Sequence, residues 1–313
     1  KEYMTGSVTF EFPQYCLVGA KIETFCTGIT HPADVDYFWV SSSLLGADTV
    51  HTQSITFNIP DSAASYIVTA SAIADGYYQS TMSATVTAID PDVNDGSISG
   101  LKAADSTFVD TRDGTVYMYV HIGNLDWMAE NLEYQGPDGD LIGVGFYQQD
   151  VLRKIFGSLY SWNDATGGVA GSGLGKGPQG ACPEGWSVPT KEDWEDLAKA
   201  MDNGKEHPFE TDWSGIGEML MVDAKLNGVK MWPYTPNCTP QNKMNWNALS
   251  GGNCTNDYNN YTNLLNYGFW WSSSEADSNR ALYRYIYFAQ PDCYFNFTDK
   301  AGFGASVRCV RLV

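Results

Sequence analysis

Ala181-Cys182-Pro183-Glu184-Gly185-Trp186-Ser187-Val188-Pro189-Thr190 runs into Lys191-Glu192-Asp193-Trp194-Glu195-Asp196-Leu197-Ala198-Lys199-Ala200-Met201, and this stretch decides how the larger part of the chain is read. Thr190, placed after Pro189, is a cap; Glu192 and Asp193 complement the positive end of a helix, and Trp194, Leu197, Ala198 and Met201 recur at helical spacing. A helix that starts at Thr190 and packs its apolar face inward is expected. Downstream, Ile216, Met219, Leu220 and Ala224 fall on one side of a second expected helix over 215–227, with Gly228 as its stop. Residues 281–289 alternate Leu282, Tyr283, Arg284, Tyr285, Ile286 and Tyr287, and 306–312 alternate Val307 and Val310 with Arg308 and Arg311, so paired strands should close the chain. Helices followed by strands make an α+β pattern.

Upstream, residues 7–89 read differently, as short strands over 7–12, 20–26, 35–40, 54–59, 65–74 and 80–89. Ile67, Thr69, Ser71 and Ile73 alternate with Val68, Ala70 and Ala72, and Asp75-Gly76 supplies a turn to the next strand. Six strands around the single Trp39 suggest an all-β, immunoglobulin-like or PKD-like sandwich over 1–90. Residues 91–100 are acidic and turn-rich, as a linker is. Asp90, Asp92 and Asn94 brush a calcium-loop pattern, but Gly96 comes one residue late and Leu101 stands where a bidentate Glu is required. The second domain is then 101–313.

The 313 residues suffice for two domains, because single cores rarely grow beyond ~250 residues. A hydrophobic content of 43% supplies cores, and 18% charged residues is too few for a self-repelling disordered chain. The net charge of -19 argues against nucleic acid or an anionic membrane surface as partner, since both need Lys and Arg. No run of 18 apolar residues exists to span a bilayer. Lys1 is read as the start of a trimmed, exported chain, with a lipid anchor upstream left open. The seven cysteines show no zinc-site spacing, so disulfides in an oxidising compartment are expected. Cys16 and Cys26 are expected to bridge on those grounds.

A set of ordered blocks resembles one family, the Fibrobacter succinogenes major paralogous (FISUMP) domain. The blocks are Ile122-Gly123-Asn124-Leu125-Asp126-Trp127-Met128-Ala129-Glu130-Asn131-Leu132, Gly157-Ser158-Leu159-Tyr160-Ser161-Trp162 and the Ala181–Thr190 string. Asn247-Ala248-Leu249-Ser250-Gly251-Gly252, Trp270-Trp271-Ser272-Ser273-Ser274-Glu275 and Ser306-Val307-Arg308-Cys309-Val310-Arg311 follow in order. The resemblance implies an exported protein with a C-type-lectin-like fold over about 200 residues. It also implies a Cys182 to Cys309 bridge, as similar folds tie the first helix region to the last strand; closing that loop would be worth ~4 to 5 kcal/mol in the chain-entropy model. Among Cys238, Cys254 and Cys293 three pairings are open, and Cys238 with Cys254 is preferred as nearest in sequence. The stretch 229–267 departs from the family pattern.

No catalytic residue, metal ligand or cofactor is assigned. His31, His51, His121 and His207 have no ligand spacing, and there is no Gly-x-Ser-x-Gly elbow around Ser272, Ser273 and Ser274. Glu192, Asp193, Glu195 and Asp196 read as the solvated face of the capped helix rather than a glycosidase pair. Trp162-Asn163-Asp164 and Gln290-Pro291-Asp292 look like the sugar-and-calcium strings of C-type lectins, yet stand in the reverse order and far apart. Trp186, Trp194, Trp270 and Trp271 are expected in the core.

The expected ligand surface is a long structured loop over 229–267, carrying Trp232, Tyr234, Asn237, Asn245, Trp246, Tyr258, Asn259, Asn260 and Tyr261. The sequence thus points to a monomeric cell-surface protein, lipoproteins included, that binds an extracellular glycan or protein without catalysis. A structural pilus or envelope component is the second reading, and an enzyme on a formylglycine-generating-like fold the third.

Overall fold

The computed structural model describes residues 1–90, 106–138, 140–226, 228–255 and 257–313. The expected linker 91–100, with most of its calcium-like pattern, lies outside them. The chain is mostly β and forms two compact units, Lys1–Gly96 and Ser97–Val313.

The first unit holds β1 (Thr5–Thr9), β2 (Tyr15–Leu17), β3 (Lys21–Phe25), β4 (Thr27–His31), β5 (Asp36–Val40), β6 (Ser54–Asn58), β7 (Ser65–Ile73) and β8 (Ser80–Ile89). One sheet runs β2-β8-β7-β5, with β1-β4 and β3-β6 as two-stranded partners. Alternation explains the packing. Along β7, Tyr66, Val68, Ala70 and Ala72 are buried, whereas Ile67 is 58% exposed. Val68, Ala70 and Ala72 meet Val8, Trp39 and Phe57 in one core, so strands from separate sheets share an apolar layer. Trp39 donates its indole N–H to the Thr52 carbonyl at 2.9 Å, so burying the ring leaves no donor unpaired. β2 and β4 were not anticipated: one has three residues, and the other is mainly exposed and lacks clean alternation.

The second unit begins with β9 (Ser106–Val109), β10 (Val116–Ile122) and β11 (Leu125–Met128), then α1 (Asp150–Phe156), α2 (Trp162–Thr166), α3 (Lys191–Met201) and α4 (Ile216–Leu220). There follow β12 (Lys225–Leu226), β13 (Val229–Lys230), β14 (Gly251–Thr255), β15 (Asn260–Leu264), β16 (Tyr267–Glu275), β17 (Arg280–Tyr287), β18 (Cys293–Asp299), β19 (Phe303–Gly304) and β20 (Val310–Leu312). A small sheet runs β20-β11-β10-β9, so the first and last strands of the unit share it; the main sheet runs β15-β14-β16-β17-β18, with β19 on β14.

Helix α3 starts as its sequence demands. Thr190 Oγ1 accepts the Asp193 amide at 3.2 Å, and Asp193 Oδ2 accepts the Thr190 amide at 2.8 Å, which closes a capping box. Asp193 Oδ1 and Glu192 Oε2 also accept the amides of Gly175 (2.6 Å) and Gly173 (3.0 Å), so the helix start pins the glycine-rich run. Trp194, Leu197, Ala198 and Met201 are all buried, and with them Trp186, Trp270 and Trp271.

Helix α4 is shorter than the expected 215–227. The Met221 carbonyl accepts from Asn242 (2.8 Å) and Met221 bridges to Ala248, so the chain leaves the helix to join these segments. Residues 229–267 are not one loop either, because β14 and β15 are integral to the main sheet.

Cys182 and Cys309, both fully buried, form a disulfide across 127 residues. The other expected bridges are absent, and Cys16, Cys26, Cys238, Cys254 and Cys293 are free thiols. Packing separates them: Cys16 lies against the Ile22, Tyr66 and Val86 cluster, whereas Cys26 sits with Trp39 and Phe57. Cys238 approaches the Met221 sulfur at 3.5 Å in the tryptophan core, and Cys254 is held on β14 opposite Gly304.

Arg308, which alternates with Val307 and Val310 in the sequence, is completely buried. Its Nε donates to Asn131 Oδ1 (2.9 Å), its Nη2 to the Asn247 carbonyl (2.7 Å) and its Nη1 to the Trp246 carbonyl, while the guanidinium lies 3.9 Å from the Trp246 ring centre. Arg284 is used similarly on β17, donating to the carbonyls of Thr211, Cys293 and Phe209 and stacking 3.3 Å over Trp213. A planar, multi-donor cation satisfies several carbonyls at once, which a lysine cannot do.

Candidate functional site: a tyrosine-rich sheet face

The residues expected to form a ligand loop are dispersed. Trp232 (3% exposed) and Trp246 (0%) belong to the core, where Trp232 donates to the Ala248 carbonyl at 2.9 Å and Trp246 packs edge-on against Trp127, Trp194 and Trp270. Tyr234 is 80% exposed. Asn237 is exposed, with its amide 3.4 Å from Thr235 Oγ1, and Asn245 sits half-buried in a short 3-10 turn.

Tyr258 and Tyr261 lie on the β14–β15 hairpin. Tyr258 donates to Asp164 Oδ2 (2.9 Å) and accepts the Ser161 amide (3.0 Å), which ties the hairpin to the start of α2. Tyr261 packs against Phe146 and Tyr147 with ring centres 5.3 and 5.4 Å away. Asn259 and Asn260 are exposed there. Both lectin-like strings are in structural use: Asp164 receives Ser161 and Tyr258, and Asp292 Oδ1 accepts the Gly215 amide at 2.9 Å. Among the described residues no group of three or more His, Cys, Asp or Glu is placed to hold a metal ion.

The structure assembles a different surface. On β17, Leu282, Arg284 and Ile286 turn to the core, so Tyr283, Tyr285 and Tyr287 share the other face. Antiparallel register sets Tyr267 beside Tyr287, Phe269 beside Tyr285 and Trp271 beside Tyr283, and β18 adds Tyr294 beside Tyr285. The rings stand on the sheet and stack across it: Tyr267 on Tyr287 at 4.6 Å, Phe269 on Tyr285 at 5.6 Å, Tyr285 on Tyr294 at 5.3 Å. Phe303 on β19 stacks on Tyr283 at 5.2 Å. Phe269 and Tyr283 are almost covered, while Tyr267, Tyr285, Tyr287, Tyr294 and Phe303 are half-buried and reach solvent in part.

Burial pushes the Tyr283 phenol up to about 12. Burial also raises Tyr285 and Tyr294, helped by the Asp212 carboxylate at Tyr285 and by Asp292 and Asp212 at Tyr294. The phenols therefore stay protonated at neutral pH and can both donate and accept. Such a comb offers large, rigid, amphipathic contact area with few torsions to freeze.

The sheet edge beside it is closed. Trp213 pairs with Cys293, the Phe295 amide points at Asp212 Oδ1 (3.4 Å), and the Phe297 amide donates to Asn296 Oδ1 (2.9 Å). Side chains thus occupy donors that an added strand would need, a device that blunts edge pairing. The alternation over 282–287 was the available signal for the face. What it lacked was the register with β16 and β18.

These features define a disulfide-locked, tryptophan-cored domain with an aromatic sheet face. The family model described as the Fibrobacter succinogenes major domain matches residues 120–311, more than half of the chain, and the chain belongs to that family. No curated protein matches it. Among solved structures, the amphioxus IgVJ-C2 molecule is 16% identical over 26% of this chain and 42% of its own, with a TM-score of 0.21. The match spans less than half of that molecule.

Proposed function

We propose that this is an exported cell-surface recognition protein that binds an extracellular glycan or peptide without catalysis, through the tyrosine face of its second unit. In this reading the first unit is an immunoglobulin-like sandwich and the second a C-type-lectin-like domain. The single observation that carries the proposal is the row of stacked, half-buried aromatic rings, Tyr267, Tyr285, Tyr287 and Tyr294, on one side of a sheet whose other side packs Leu282, Arg284 and Ile286 inward. Such a row is retained at the cost of exposed apolar area, and contact surfaces are where aromatic side chains concentrate. The buried disulfide fits an oxidising compartment. The stoppered β18 edge favours recognition over assembly by strand exchange at that edge.

The test is a glycan and peptide array, with and without calcium, comparing the protein with Tyr267→Ala/Tyr285→Ala. Loss of binding of at least tenfold with unchanged circular dichroism is expected, since removing a contact aromatic costs more than ~1 to 2 kcal/mol. Undiminished binding by the folded double variant rejects the face as the contact surface.

A further inference from the structure

The charges bordering the tyrosine face are set by hydrogen bonds rather than left to free side chains. Asp212 is held next to Tyr294 by its contact with the Phe295 amide at 3.4 Å. Asp292 immediately precedes β18 and is fixed through Gly215 at 2.9 Å. It lies one position beyond the Ile286–Cys293 pair, on the Tyr287 side. The nearby cation, Arg284, faces the opposite way and is consumed by core carbonyls and Trp213. The face therefore offers tyrosine hydroxyls and carboxylates, while the cation coupled to Asp212 is committed to the opposite side of the sheet.

The geometry is also periodic. Tyr285 and Tyr287, the two half-buried rings of β17, stand about 7 Å apart along the strand, with Tyr283 continuing the spacing into the covered end of the row. A repeating ligand with hydroxyls at intervals suits such a comb better than a single small molecule. An extended peptide would gain most from main-chain pairing at the β18 edge, where the Phe295 and Phe297 amides are already engaged.

We infer that the tyrosine face takes an uncharged, hydroxyl-bearing polysaccharide, and that Asp212 and Asp292 are specificity-determining residues that turn away carboxylated or sulfated polymers. This rests on the ligand-binding reading of that face. An acidic polymer laid along the rings would bring its charges close to these two hydrogen-bonded carboxylates, and like charges set against each other suppress a wrong partner.

Affinity electrophoresis of the wild-type protein, Asp212→Asn, Asp292→Asn and the double variant tests this, through gels containing mixed-linkage glucan, xylan, mannan, polygalacturonate or alginate. Asn keeps the acceptor for each backbone amide, so the fold is preserved. The wild type should be retarded by at least one neutral polymer and by neither acidic one. Each substitution should strengthen retardation by the acidic polymers about threefold at low salt, and the double variant about tenfold, with the gain vanishing in 0.5 M salt and neutral binding unchanged. Equal wild-type retardation by acidic and neutral polymers, or no gain in the double variant, overturns the filter. Peptide binding alone, lost in Tyr267→Ala/Tyr285→Ala, overturns the ligand class and leaves the face standing as a contact surface. No binding to any glycan or peptide overturns both.

Discussion

Replacing Arg308 by Met removes the cation but keeps much of the apolar stem. In the native protein three donors of that guanidinium serve Asn131 Oδ1 and the carbonyls of Trp246 and Asn247, in a site closed to solvent. Asn131 Oδ1 keeps a second donor, the Trp270 indole at 2.8 Å, so the loss falls on the two carbonyls. A buried acceptor deprived of its donor costs ~1 to 3 kcal/mol, which puts the substitution near ~4 kcal/mol for the pair. For a unit of this size that corresponds to a drop of ~8 to 16 °C in melting temperature. Arg280→Met is the control: Arg280 is half exposed, paired with Asp277 at 2.6 Å, and expected to matter by less than ~1 kcal/mol. Differential scanning calorimetry with tryptophan fluorescence reads both. If Arg308→Met melted within 2 °C of the wild type, the guanidinium would not be the strut between the segment at 246–247 and the end of the chain.

Converting Cys182 and Cys309 together to Ala should lower the stability of the second unit by ~5 kcal/mol from the 127-residue loop, seen as a downward shift in denaturant midpoint; a shift near zero would assign the stability to packing alone. Native alkylation should label Cys16 slowly and spare Cys26, Cys238, Cys254 and Cys293, since Cys16 alone of the five is not fully buried and burial raises every one of these thiols to about 11 or 12. Mass spectrometry showing Cys16 joined to Cys26 would contradict the packing described. Glu133, 18% exposed and 3.5 Å from Arg153, is pushed by burial from 4.5 to about 7. The folded state then holds the proton more tightly than the unfolded one, so this group's contribution is present below pH ~4.5 and is lost as the pH rises through about 7. The wild type should gain up to ~3 kcal/mol on going from pH 8 to pH 5 relative to Glu133→Gln, and parallel pH profiles of the two proteins would refute it.

Local signals account for what was legible. Thr190 and Asp193 cap and start α3 with no help from distant residues, and β7 and β8 announce themselves by alternation because one face of each is solvated. The Cys182–Cys309 pairing came from resemblance to a family, not from spacing. Features set by remote partners were not readable. Tyr267-Gly268-Phe269-Trp270-Trp271 is aromatic on both faces, so the string cannot say that Trp270 enters the core while Phe269 joins the comb. Arg308 and Arg284 look outward in any hydropathy pattern, and only the convergence of several carbonyls from other segments makes their burial tolerable. Trp232 and Trp246 were read as loop contacts because their neighbours are Asn, Tyr and turn residues. Those neighbours instead shape a chain path that feeds both indoles inward.

The position of the disulfide bears on what happens when the second unit is pulled at its two ends. Cys309 lies four residues before Val313, and Cys182 is the other anchor, so tension would bypass everything between them. About 127 residues, or ~440 Å of extended chain, would remain slack-protected while only the segment before Cys182 could be drawn out. All the strands of the tyrosine comb, from β16 to β19, fall inside the shielded portion, so a load at the ends cannot draw them out along the chain while the disulfide holds.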